Sequence, residues 1–159
     1  MANSRGGIMK DEKYILFVDD RPENLDIFMD ILTEHGHRIE WVETIDEAVT
    51  FIKKNKDNLS GVIIDLFIKG ISKIDSYQEQ YKVTINQGQS LGLYLRKTYE
   101  GKIPYFYFSD YPGAYSRPIS LAEGEEEIVK SKFQEMGETF EEIRDNFYEI
   151  CKKHLRLVL

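Results

Sequence analysis

Short apolar runs alternate with helical patterns along most of the chain. Predicted strands occupy residues 14–18, 38–42, 61–66, 104–108 and 127–130, and the first, third and fourth of these are apolar on both faces. A short run that is apolar on both faces is typical of a strand buried inside a parallel sheet. Between these runs, apolar residues recur every three or four positions, which predicts helices beginning near residues 25, 45, 89 and 140.

The order of these elements predicts the fold class. Strands that alternate with helices require a parallel sheet with right-handed crossovers. Five such strands predict an α/β fold, a flavodoxin-like doubly wound five-stranded parallel sheet with strand order 2-1-3-4-5.

Three stretches interrupt the alternation. Residues 1–12 are polar and contain glycine, which predicts a flexible N-terminal tail before a single domain at 13–159. Within that domain, residues 71–88 are polar without a clear period, so we expect a long inserted loop that could contain a short hairpin at 81–85. Two prolines within 111–124 predict that any helix there is short.

Several local features predict structural roles, in the case of Asp20 beside a chemical one. Asp20, with Pro22 two residues later, is predicted to cap the first helix. The acidic run at 123–127 is predicted to be a solvated face. Tyr105 and Tyr107 are predicted to pack against the sheet.

The charge and cysteine content exclude several classes of partner. The formal net charge of -7 leaves no basic face for nucleic acid and no polybasic patch for an anionic membrane. No apolar run approaches the roughly 20 residues of a membrane span, and the N-terminus lacks an apolar signal region. A single cysteine, Cys151, is consistent with a reducing compartment. We therefore expect a cytoplasmic protein that binds neither nucleic acid nor membranes.

Polar side chains occur at the carboxyl ends of four predicted strands, where open α/β sheets bind ligands. The first and third strands are neighbours, so the carboxylates there should converge, and their repulsion requires a cation. Oxygen ligands favour Mg²⁺ or Mn²⁺ over zinc. A lysine and a hydroxyl on the far side then suit a phosphoryl group. The residues are Asp19 and Asp20, Asp65, Ser109 and Lys130.

With these motifs the chain resembles the receiver domains of two-component response regulators. The matching segments are 15–24, 62–66, 104–109 and 129–130, and the resemblance covers roughly residues 13–155. It implies that Asp65 is the phosphoacceptor and that Gly70 lies in the turn beyond it. It also implies that Ser109 and Lys130 bind the phosphoryl group. The implied metal ligands are Asp19, Asp20, Asp65 and the backbone carbonyl of Phe67.

The resemblance also implies a function. It identifies a stand-alone receiver in a phosphorelay, which accepts a phosphoryl group from a histidine kinase or a phosphotransfer protein. Such a domain catalyses only its own aspartyl phosphorylation and dephosphorylation, so a turnover enzyme is not expected. It signals to a downstream protein partner, unknown from the sequence, by a conformational change.

Three positions depart from the family pattern and leave alternatives open. Lys69 and Ser131 replace prolines that are usual in the family, and Glu127 replaces a common aromatic residue. These departures motivate a pseudo-receiver that works as a protein-interaction module without phosphorylation. A phosphohydrolase of the haloacid dehalogenase type is a third hypothesis, because 19–24 resembles one of its acidic motifs. The Asp-x-Asp nucleophile motif of that superfamily is missing, however.

Overall fold

A computed structural model describes residues 13–21, 23, 25–68, 87–110, 112–115, 125–132 and 136–157. The predicted tail at 1–12, the hairpin at 81–85, residues 71–86 of the insertion, and Lys69 and Gly70 lie outside this part. The main elements are β1 (Tyr14–Val18), α1 (Asp26–Glu34), β2 (Arg38–Val42), α2 (Ile45–Asn55), β3 (Leu59–Ile64), α3 (Gln87–Tyr99), β4 (Tyr105–Ser109), β5 (Val129–Ser131) and α4 (Phe140–His154). Short 3₁₀ helices occupy Lys56–Asn58, Pro112–Ala114 and Glu125–Ile128.

The five strands form one parallel sheet in the order β2-β1-β3-β4-β5, which confirms the predicted fold class. The three central strands are almost fully buried because helices cover both faces of the sheet. β2 lies at one edge and is half-buried along most of its length. β5 forms the other edge and has only three residues, which is shorter than predicted because its first half is a 3₁₀ turn.

Two hydrophobic cores fill the two sides of the sheet, because successive side chains of a strand point to opposite faces. On one side, α2 and α3 cover Leu16, Val62 and Ile64, together with Tyr105 and Tyr107 as predicted. On the other side, α1 and α4 cover a second set of buried side chains, which includes Ile15, Phe17, Phe106, Phe147 and Cys151.

The helix starts follow local capping signals in two cases and depart from them in a third. Thr139 and Glu142 form a reciprocal capping box at the start of α4, and Thr44 caps α2. The prediction that Asp20 caps the first helix is wrong. α1 begins at Asp26, and the residue before it forms no side-chain cap. Asp20 lies instead beside other carboxylates at the strand ends.

The acidic run is not wholly a solvated face, because Glu125 is only 2% exposed. The hydroxyls of Tyr105 and Tyr115 donate to its carboxylate, the second at 3.0 Å, and Arg96 Nη1 lies 3.7 Å from Oε2. Burial raises the pKa of Glu125, and the tyrosine hydroxyls and Arg96 oppose that rise. Glu127 is exposed, as predicted.

No helix in the described ranges is long and apolar enough to span a membrane.

Candidate functional site

Backbone pairing brings the ends of β1 and β3 side by side. Val18 lies opposite Ile64 in the parallel register, and Asp65 N–H donates to the Val18 carbonyl at 2.9 Å. The next residue on each strand is therefore a carboxylate at the same edge of the sheet. Oxygens of Asp19, Asp20 and Asp65 all lie within 4.8 Å of one another. The predicted convergence of these three residues is thus present, and we call them the acidic cluster.

Asp65 is the most perturbed member of the acidic cluster. Its side chain is buried, and neither carboxylate oxygen makes a hydrogen bond of regular geometry within the described chain. Burial raises its pKa to about 6, and the negative charge of Asp19 adds to the rise. Lys132, the Ser109 hydroxyl and the Phe67 amide act in the opposite direction. A buried, ionised carboxylate in this position is stabilised by any cation that reaches it.

Lys132 supplies the positive charge next to the acidic cluster. It is 3% exposed, and its Nζ donates to Asp19 Oδ2 at 2.7 Å. It also lies 4.0 Å from Asp110 Oδ1. The backbone holds Lys132 in place, because its N–H donates to the Ser109 carbonyl at 3.0 Å, just beyond the end of β5.

The structure places Lys132 where the sequence analysis expected Lys130. Lys130 lies inside β5 opposite Phe108, one register step before Ser131 and Ser109. Residues two apart on a strand project from the same face, so the Lys-Ser-Lys sequence presents two candidate lysines. Only the second extends past the strand end to the edge that carries the carboxylates. The position of Lys132 after the strand could have indicated its role from the sequence, since ligands of such sheets lie beyond the carboxyl ends of the strands.

Three further residues lie at this edge of the sheet: Ser109, Asp110 and Arg21. Ser109 is fully buried at the end of β4, as predicted, and its hydroxyl lowers the pKa of Asp65. Asp110, which the sequence analysis left without a role, lies near Lys132 and within 3.5 Å of the guanidinium of Arg21. Arg21 also donates its backbone N–H to Asp19 Oδ1 at 2.8 Å. The site therefore contains four carboxylates and two basic groups.

The segment after Asp65 is held against the start of α3. Gly88 N–H donates to the Leu66 carbonyl at 3.2 Å, and a Cβ at Gly88 would lie 1.8 Å from the Asp65 carbonyl oxygen. Only glycine permits this approach. The predicted insertion therefore ends before residue 87, where α3 begins.

Phe67 is 46% exposed, and the role of its carbonyl as a metal ligand stays a prediction.

The single tryptophan of the chain lies beside the site. Trp41 Nε1 donates to the backbone carbonyl of Asp19 at 2.8 Å, and its ring is half-buried on β2. Its fluorescence should therefore respond to a change in the backbone at Asp19.

The acidic cluster fits a hard divalent cation. Its donors are all carboxylate oxygens, which is the chemistry that Mg²⁺ and Mn²⁺ prefer. These oxygens all lie within 4.8 Å of one another, which is compatible with their binding one cation. The buried oxygens of Asp65, which lack regular hydrogen bonds in the described chain, provide the electrostatic reason for a cation there.

Comparisons with known proteins yield structural matches only. No protein-family model matches the chain, and no curated protein matches it in sequence. The activated receiver domain of Klebsiella pneumoniae RstA is 18% identical with a TM-score of 0.59, over 91% of this chain and 100% of that one. Thermotoga maritima TrrA, in complex with Mg²⁺ and beryllofluoride, is 21% identical with a TM-score of 0.56, over 87% and 98% of the two chains.

A longer protein matches as well. NtrX from Brucella abortus is 17% identical with a TM-score of 0.58, and the match covers 91% of this chain but only 27% of NtrX. At such low sequence identities, these structural matches show the fold alone. Together with the sheet order, they show that the chain has the fold of response-regulator receiver domains.

Proposed function

We propose that this chain is a receiver that accepts a phosphoryl group on Asp65, with Mg²⁺ or Mn²⁺ held by the acidic cluster. One observation carries the proposal. A buried carboxylate, Asp65, lies beside two further carboxylates, and a buried lysine contacts one of them, at the ligand-binding edge of the sheet.

The chain's own residues suit phosphoryl transfer. An ionised oxygen of Asp65 forms a bond to phosphorus while the bond from phosphorus to the donor atom breaks, and the donor atom keeps that electron pair. A pKa of about 6 leaves Asp65 largely ionised at neutral pH. Lys132 and Ser109, which both lower the pKa of Asp65, would donate to phosphoryl oxygens. A divalent cation would offset the repulsion between the carboxylates and the incoming dianion.

The donor and the output follow from the same hypothesis. We propose a histidine kinase or a phosphotransfer protein as the donor, and a protein partner that reads a conformational change. The domain would then catalyse only its own phosphorylation and dephosphorylation.

Intact-mass analysis after incubation with acetyl phosphate and Mg²⁺ tests the proposal. The wild-type protein should gain one phosphoryl group that is acid-stable and base-labile, and Asp65→Asn should gain none. Lys132→Gln should slow phosphorylation by about a hundredfold, because it removes a positively charged hydrogen-bond donor to the phosphoryl oxygens.

Lys130→Gln is the matched control, because it makes the same change two residues earlier on the same strand. It should label at the wild-type rate. A slow Lys130→Gln with a normal Lys132→Gln would return the role to Lys130. A wild-type protein that is not phosphorylated and does not bind Mg²⁺ would favour the pseudo-receiver hypothesis.

A further inference from the structure

A second charged cleft lies at the opposite edge of the sheet, where the strands begin. It has a volume of about 520 Å³. Among the described residues that line it, none is a carboxylate, although the chain has a net charge of -7. Four basic side chains from separate parts of the chain surround it: Lys13 before β1, Arg38 at the start of β2, Lys102 before β4, and Arg156 after α4. We call this the basic cleft.

The basic cleft has apolar surface as well as positive charge. Leu59, Pro104 and Leu155 line it together with the four cations. Leu155 packs directly on β3, since a Cβ at Gly61 would lie only 2.6 Å from Leu155 Cδ2. An apolar surface with a few convergent polar groups is typical of small-molecule sites, and the volume lies in the usual range of about 300–1,000 Å³.

Two of the arginines are held in position by neutral groups. Arg38 Nη2 donates to the Tyr14 hydroxyl at 2.6 Å, and the guanidinium lies 4.3 Å from the centre of the Tyr14 ring. Arg156 Nη2 donates to the Gly101 carbonyl at 3.0 Å. These contacts orient the guanidinium groups of both arginines at the cleft.

Arg156 also occupies an unfavourable backbone position. Its φ is 53°, and it follows the C-cap of α4 at the point where the Leu157 N–H returns to the Lys152 carbonyl. Glycine is preferred there, because a side chain in the left-handed region costs about 1 kcal/mol. The chain therefore has an arginine at a position where glycine would adopt the backbone conformation at lower cost.

Helix dipoles do not explain the whole arrangement. Cations near helix C-termini are favourable, which accounts for Arg156 after α4 and Lys102 after α3. Lys13 and Arg38 instead lie at the beginnings of strands, where the dipole effect is small.

We propose that the basic cleft binds a small molecule that carries a diphosphate or triphosphate group. Four cations around one cleft match several negative charges in close proximity. A nucleic acid would need a wide basic face, which a chain of this net charge does not favour. The proposal is independent of phosphoryl acceptance at Asp65.

Calorimetric titration of the wild-type protein with pyrophosphate, in EDTA and at fixed ionic strength, tests the proposal. Saturable binding at one site is expected. Arg156→Gly should weaken it at least about tenfold. That variant should fold at least as stably as the wild type, because glycine suits the backbone at this position. Asp65→Asn should bind like the wild type, which separates this site from the acidic cluster.

Arg144→Gln is the control for net charge. Arg144 lies in the first half of α4, about 18 Å along the helix from Arg156, and its loss should leave binding unchanged. Three results would overturn the proposal. They are the absence of saturation up to about 10 mM pyrophosphate, an equal loss in Arg144→Gln, and tighter binding of a short oligonucleotide than of pyrophosphate.

Discussion

Replacing Asp65 with asparagine is expected to stabilise the metal-free protein at neutral pH. Asp65 is 2% exposed, and its carboxylate oxygens have no regular hydrogen bond within the described chain. At neutral pH the folded state must keep this group ionised beside Asp19, with only partial compensation from Lys132. Asparagine has nearly the same shape but no charge, so it removes this cost.

The pKa gives the magnitude. A rise from the usual 3.8 to about 6 corresponds to about 3 kcal/mol, because each tenfold change in proton affinity is worth about 1.4 kcal/mol. The folded state binds this proton more tightly than the unfolded state. Asp65 therefore does not destabilise the fold below about pH 4. Its destabilising effect develops as the pH rises from about 4 through about 6, where the folded protein loses this proton. Asp65→Asn should be more stable by about 3 kcal/mol at pH 7.5 and by almost nothing at pH 4.

Urea unfolding in EDTA, followed by Trp41 fluorescence across this pH range, measures the difference. Asp57→Asn is the matched control, since it removes the same charge from an exposed turn and should change the free energy of unfolding by under about 0.5 kcal/mol. A stability difference that is independent of pH, or that appears below pH 4 and vanishes above 6, would refute the assigned ionisation of Asp65.

Two further predictions concern other parts of the molecule. Mg²⁺ should stabilise the wild-type protein by about 2.7 kcal/mol at a hundred times its dissociation constant and should change Trp41 fluorescence. Asp20→Asn should weaken both responses, and an unaltered titration would contradict the cation site. Glu125→Ala should lower the free energy of unfolding by about 2–4 kcal/mol, because it leaves the hydroxyls of Tyr105 and Tyr115 without their acceptor. Glu127→Ala, at an exposed position, should be nearly neutral in the same urea titration.

The three central strands could be predicted from the sequence because they are buried on both faces. Burial on both faces leaves a continuous apolar run in the sequence, which local inspection detects. The convergence of Asp19 and Asp65 followed from the strand order, since adjacent parallel strands end at the same edge. These features depend on periodicity and topology, and both are visible in one chain.

Features set by register or by distant contacts were not predictable in the same way. The choice between Lys130 and Lys132 depends on where β5 ends relative to β4, and a three-residue strand gives little sequence signal. The burial of Glu125 depends on Tyr105, Tyr115 and Arg96, which lie 10 to 29 residues away in sequence. The capping signal at Asp20 was real as a local preference, but the chain uses that residue at the strand ends.

At two positions the native residue is expected to make the folded protein less stable than a simple substitute would. One position lies in each of the two proposed sites. With a pKa of about 6, Asp65 is expected to destabilise the folded state by about 3 kcal/mol at neutral pH relative to an uncharged group of the same shape. Arg156 holds a left-handed backbone conformation at a cost of about 1 kcal/mol relative to glycine. Helix dipoles favour acids at one edge of the sheet and bases at the other, but they do not require burial of the first residue or strain at the second. Local destabilisation of this kind is typical of functional positions. The position of these two residues, in the acidic cluster and in the basic cleft, is one reason why we propose a ligand at each site.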